Sequence, residues 1–168
     1  MGNKSEHPCF CWTWPSPVGN LLLIGNDSGL RGLNFQDGDH PLAPNPDWRE
    51  QRVPFAHVIK QLEDYFSGRL RMFRVKLALQ GTGFQLSVWQ ALKRIPFGVT
   101  ASYGAIAKQV GNPRASRAVG AANGQNPVSI IVPCHRVIGK NGQLVGYGGG
   151  LPIKEALLDL ERQAAKAR

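Results

Sequence analysis

Residues 126–149, NPVSIIVPCHRVIGKNGQLVGYGG, restrict what this chain can fold into more than any other stretch. An apolar run ends at Pro133, and the thiol of Cys134 follows at once, then His135 and Arg136. Residues 128–132 read as a buried strand bounded by a turn signal. The fold must bury that strand while leaving its end open, and the glycines beyond it let backbone come close to a ligand. A strand-end thiol beside an imidazole, in a neighbourhood whose basic groups favour thiolate, is what a nucleophilic cysteine requires. The plainer reading is a core cysteine next to a surface histidine.

With 168 residues, 42% of them hydrophobic, the chain can bury one domain or two small ones. Three cysteines make no disulfide framework, and a free Cys134 fits a reducing compartment, so a soluble cytoplasmic protein is the default. The start of the chain lacks the apolar region of a secretory signal. Glu6 stands where a myristoylation start has Ser or Thr, and no run reaches transmembrane length. The net charge of +9 is unevenly placed: residues 1–83 carry nine Lys/Arg and eight Asp/Glu, residues 84–168 eleven and three. No acid occurs between residues 84 and 154, which suits a polyanion such as nucleic acid.

Taken in order, residues 14–36 read as a β-hairpin around an apolar run at 21–24 and a Gly/Asn/Asp turn. Residues 37–50, with four acids and three prolines, read as a solvated loop without an evident role. Apolar positions spaced by three and four predict a helix over 54–66, and strict alternation predicts a half-buried strand over 71–79. Gly81-Thr82-Gly83 marks a joint between an N-terminal unit, 1–80, and a C-terminal unit, 84–168. A short helix over 86–92 follows, with Trp89 read as core rather than as a base-stacking platform. Ser102 can cap a helix over 103–110, Gly111-Asn112-Pro113 breaks it, and a second helix is expected over 114–122 with Arg114 and Arg117 on one side. Such a helix–turn–helix can set its second helix against DNA, although small residues also make a helix that packs internally. Residues 139–142 read as a turn and 146–150 as a flexible loop. A final helix over 153–166 has Glu161 at the edge of its apolar stripe, where a buried carboxylate would need His135 as partner.

The motifs PCHRV, RAVG and GYGGGL, at these spacings, resemble the O6-alkylguanine-DNA alkyltransferases, also called methylated-DNA–protein-cysteine methyltransferases. The likeness extends over SPVGNLLLIGNDSGLRGLNF, QLEDYFSGRLRMF, GTGFQLSVWQALKRIPFG and SYGAIAKQVGNPRASRAVGAANGQNP, and through IIVPCHRVIGKNGQLVGYGGGLPIKEALLDLE to Glu161. It implies an α/β protein with a small ribonuclease-H-like sheet/helix domain, then a mainly helical DNA-binding domain. It also implies single-use transfer of a methyl or small alkyl group from O6 of guanine, and from O4 of thymine, to the protein's own cysteine.

By the resemblance, Cys134 is the alkyl acceptor, His135 the base acting through a water, and Glu161 the carboxylate that orients it. Asn126 supports the reactive turn, Tyr103 helps rotate the nucleotide and donates to the flipped base, and Arg117 fills the gap left in the duplex. Tyr147 lines the pocket, while the carbonyls of Cys134 and Val137 and the amide of Gly148 contact guanine. Arg114 and Arg136 join the DNA-binding set. The implied partner is double-stranded DNA, met in the minor groove with little sequence preference by a monomer that can bind cooperatively, with no cofactor. Position 148 is glycine where some members have serine. Alkyltransferase-like relatives carry tryptophan in place of the acceptor, whereas Cys134 places this chain with the active branch. His7, Cys9 and Cys11 do not match the zinc site of some members, so no metal is expected. The rival readings are a cysteine hydrolase, which would leave the acid-free region idle, and a DNA-binding module in which Cys134 is structural.

Overall fold

A computed structural model describes residues 8–167, a sheet-and-helix half followed by a mainly helical half. The expectations attached to residues 1–7, His7 among them, lie outside the described residues. Strands β1 (Phe10–Ser16), β2 (Gly19–Asn26) and β3 (Gly29–Phe35) form an antiparallel meander. The two-residue β4 (Arg49–Glu50) adds parallel to β1, giving the order β3-β2-β1-β4. The chain thus enters the sheet at Phe10, ahead of the expected hairpin. The run at 21–24 is buried on both faces: Leu21 and Leu23 join the main core, and Leu22 and Ile24 join a smaller cluster with Cys11, against which Cys9 and Trp48 pack.

Helix α1 (Ala56–Phe66) covers the sheet with Val58, Ile59, Leu62 and Tyr65, all buried. Each such aliphatic side chain withdrawn from water contributes about 1.5–3 kcal/mol. The expected strand over 71–79 does not form. Its side chains do alternate in exposure, but its backbone makes one parallel bridge, Leu77 to Leu30, through Leu30 N–H to Lys76 O (2.8 Å) and Ala78 N–H to Leu30 O (2.8 Å). The reason lies in β3, whose outer edge is divided between two segments. Leu30 takes residues 76–78, and Leu33 bridges to Val128, so neither partner has room to extend into a ladder.

Helix α2 (Gly83–Leu92) opens on a capping box in which Gln85 N–H donates to Thr82 Oγ1 (3.1 Å) and Thr82 N–H to Gln85 Oε1 (2.9 Å). Trp89 is core, its indole N–H donating to Ala122 O at 2.9 Å. A short parallel pair, β5 (Ala101–Ser102) with β6 (Val137–Ile138), sits before α3 (Tyr103–Gln109), and Ser102 caps that helix as expected. Helix α4 (Ser116–Gly124) starts two residues later than predicted, because the turn continues through Ala115 N–H to Asn112 O (3.0 Å). Helix α5 (Leu151–Lys166) closes the chain. One continuous apolar core, from Leu21 to Leu157, runs through both halves.

Candidate active site

The reactive stretch is a turn, not the strand expected over 128–132. Asn126 organises it: its Oδ1 accepts from Val128 N–H (3.0 Å) and its Nδ2 donates to Val132 O (2.8 Å). Val132 N–H returns to Val128 O (3.0 Å) and Ile131 N–H to Ser129 O (2.8 Å), bonds that an extended segment could not make. Ile130 lies at φ +71°, a conformation that costs a β-branched residue on the order of 1–3 kcal/mol. Full burial of its side chain and the surrounding hydrogen bonds offset that strain. Strand β3 clamps the turn from the other half of the molecule, with Leu33 N–H to Pro127 O (2.9 Å) and Ser129 N–H to Leu33 O (3.1 Å). A 3-10 turn, Cys134–Arg136, then presents the thiol.

The two residues after the thiol belong to a buried charge hub. His135, with no exposed surface, meets Glu161 Oε1 through Nε2 at 2.7 Å. Glu161, also wholly buried, accepts from the Tyr65 hydroxyl (2.8 Å), Gly98 N–H (3.1 Å) and both Nε and Nη2 of Arg136 (2.9 Å each). Burial pushes this carboxyl up, but the hydrogen bond from His135 and the hydrogen bonds and charge of Arg136 outweigh it and hold the group at about 2. Burial also lowers His135, against the pull of Glu161, so the ring is neutral. A carboxylate can only accept, so Nε2 carries the proton, and Nδ1, buried and unpartnered, is left as a free base.

Burial raises the Cys134 thiol above its ordinary value, and hydrogen bonds from Asn126 and Ser129 and the charge of Lys154 only partly oppose it. The expected thiolate-favouring neighbourhood is therefore outweighed in the resting protein: desolvation of a fully buried sulfur wins. Ionisation must be coupled to a proton acceptor, and His135 Nδ1 is the free one beside it in the chain.

The thiol lines a cavity of about 680 Å³. Tyr103, Arg117, Asn126, Tyr147 and Gly148 line it too, so six of the residues singled out from sequence come together, while His135, next to Cys134 in the chain, is paired with Glu161 away from the cavity lining. The Tyr103 hydroxyl makes a long bond to Val145 O (3.3 Å), while that of Tyr147 is buried without a hydrogen bond of good geometry. Burial first, then the adjacent Cys134, raise both phenols. A Cβ placed on Gly148 would meet nothing within 4 Å, so the site itself does not demand glycine there. The carbonyl of Cys134 accepts from Asn123 Nδ2 (3.4 Å) and from Val137 N–H, and that of Val137 accepts from Lys154 Nζ (2.7 Å).

Two placements differ from expectation. Arg136 is not on a DNA-facing surface: it is buried, bound to Glu161, and gives Nη1 to Ile95 O at 2.7 Å. Arg114 is exposed but sits in the turn before α4, not beside Arg117 on the helix. Residues that sequence reasoning passed over are Tyr65, read only as packing, and Lys154, whose buried ammonium bridges Val137 O and Val145 O (3.1 Å). Cys9 and Cys11 are free thiols, and among the described residues no group of three His, Cys, Asp or Glu could hold a metal ion. No helix among them is long and apolar enough to cross a membrane.

Comparison with known proteins agrees with this geometry over nearly the whole chain. Residues 10–79 match the 6-O-methylguanine DNA methyltransferase ribonuclease-like domain, and residues 83–163 the DNA binding domain of the same family. A methylated-DNA–protein-cysteine methyltransferase of Methanosarcina acetivorans is 56% identical over 146 residues, 87% of this chain and 94% of that protein. The crystal structure of Mycobacterium tuberculosis O6-methylguanine methyltransferase superposes with a TM-score of 0.88 at 48% identity, covering 95% of this chain and 96% of that one. The M. tuberculosis protein in complex with DNA superposes at 0.87, with 48% identity and 92% and 94% covered. With a thiol lining the cavity, an imidazole–carboxylate pair beginning at the next residue, and matches spanning both halves, the chain belongs to the 6-O-methylguanine DNA methyltransferase family.

Proposed function

We propose that this protein repairs DNA by direct reversal, moving a methyl or small alkyl group from O6 of guanine onto its own Cys134. The observation that carries the reading is a thiol that lines a cavity large enough for a base, followed at once in the chain by the buried His135–Glu161 pair with its free imidazole nitrogen. The relatives named as methylated-DNA–protein-cysteine methyltransferases, and the DNA-bound M. tuberculosis protein, support it.

The target atom is inside the duplex, so the nucleotide turns out of the stack into the cavity. Arg117, exposed at the start of α4, enters the vacated space, and the acid-free basic region contacts phosphates from the minor-groove side without reading sequence. His135 Nδ1 takes the thiol proton, through a water. The sulfur then attacks the alkyl carbon, the S–C bond forms as the C–O bond breaks, and the electron pair leaves on guanine O6. Tyr103 donates to the ring and offsets the charge that develops there. The sum is thiol plus O6-alkylguanine to thioether plus guanine. Nothing returns the thiol, so each molecule reacts once. The protein acts as a monomer, alone or cooperatively along DNA, in a reducing compartment such as the cytoplasm.

Incubation with duplex DNA carrying labelled O6-methylguanine should leave at most one label per chain, on Cys134, and Cys134→Ala should abolish transfer while keeping DNA affinity. Label that stays on DNA, or is released over many turnovers, would overturn the proposal. An O4-methylthymine duplex in the same assay tests the second lesion.

A further inference from the structure

The N-terminal half does more at this site than support it. Strand β3 reaches the cavity through Phe35, which lines the same space as Cys134 although it belongs to the other half of the chain. Its position follows from register. Leu33 is pinned to the reactive turn by two backbone hydrogen bonds, and Phe35, two residues on, projects from the same face of the strand.

Phe35 is 4% exposed and meets two parts of the loop that closes the pocket. The Tyr147 ring rests against it, centroids 5.5 Å apart and tilted by 59°. The backbone of Gly149 lies so close that a Cβ there would fall 2.8 Å from the Phe35 ring. A Cβ on Gly38 would come within 3.0 Å of Gly149 Cα, so residues 148–149 also touch the segment after β3. The Phe35 ring thus backs the loop that carries Tyr147 and Gly149 and lines the cavity with Cys134, so it bounds the room available to a group on the sulfur.

We infer that Phe35 is a positioning residue that sets how large an alkyl group the pocket accepts, acting through Tyr147 and Gly149. Resting on the transfer reaction proposed above, this makes the first half of the chain a determinant of substrate size. Removing a buried ring leaves a space into which Tyr147 and the loop can move, and the gain goes to bulky groups, whose extra volume can use it.

The test is a single-turnover competition between duplexes carrying O6-benzylguanine and O6-methylguanine, with wild type, Phe35→Leu and Phe35→Ala. The benzyl-to-methyl rate ratio should rise about tenfold in Phe35→Ala and by a smaller factor in Phe35→Leu, the size of effect that one or two methylenes have in an apolar pocket. Thermal unfolding is recorded alongside. If Phe35→Ala fails to fold, the leucine variant decides. Val58→Ala, a core change on α1 away from the cavity, provides a control: it should lower stability and leave the ratio where it was. A ratio that moves less than twofold in the folded Phe35 variants, or as much in Val58→Ala, overturns the inference. Absence of label on wild-type Cys134 with either duplex would instead overturn the transfer reading itself.

Discussion

Cys134 carries its reactivity in its neighbour rather than in itself. With the thiol raised by burial and His135 lowered by it, the resting pair is neutral, so the thiolate fraction grows as pH rises. The rate of Cys134 alkylation by a small electrophile should therefore climb through the neutral and alkaline range. Glu161→Gln, which puts a neutral amide, able to turn its NH2 towards the ring, where an acceptor-only carboxylate keeps the proton on Nε2, should slow transfer by about a hundredfold or more, the scale of losing a general base. A flat profile with an unimpaired glutamine variant would show that His135 plays no such part. At this scale Cys134, His135 and Glu161 were legible because adjacency and helical position are local properties. Arg136 was not: a base beside Cys-His reads as a phosphate contact until Ile95, Phe97 and Glu161, distant in sequence, close around it. Tyr65 was hidden likewise, since its apolar spacing in α1 accounts for its ring and says nothing about its hydroxyl.

Among the elements, helices were read more securely than extended segments. Residues 54–66, 86–92, 103–110 and 153–166 all carry three-and-four spacing or a cap, and each is helical with only its ends displaced. Extended segments depend on partners that can lie anywhere in the chain, and both failures, 71–79 and 128–132, compete for the one edge of β3. Residues 128–132 are buried as expected, but apolar burial does not distinguish a strand from a turn held by Asn126. The α3–α4 pair yields its own test. Arg117 is exposed on the first turn of α4 beside the cavity, with no acid near it in sequence. Arg117→Ala should cut the rate on paired O6-methylguanine DNA at least about tenfold and change the reaction with free O6-benzylguanine base by less than about twofold. Equal losses on both substrates would place Arg117 in the pocket chemistry instead of in the duplex.

The two halves of the molecule are joined at the site. Glu161 on α5 binds Tyr65 of α1, Gly98 ahead of β5, and His135 and Arg136 after the reactive turn. Its carboxyl, held at about 2 against an ordinary 4.5, contributes stability that is complete above 4.5 and lost as pH falls towards 2. Urea midpoints should fall steeply across that interval, and Glu161→Gln should flatten the fall; a variant as acid-sensitive as wild type would contradict this. The division of β3 has a consequence of another kind. An outer strand with bare N–H and C=O groups is a template for pairing with a second chain, and here Leu30 and Leu33 have theirs occupied from within. One of the two covers is the turn that ends at the thiol. The segment that shields this edge from pairing is therefore the one that carries the reactive sulfur, and anything that displaced residues 127–129 would bare the Leu33 backbone as well.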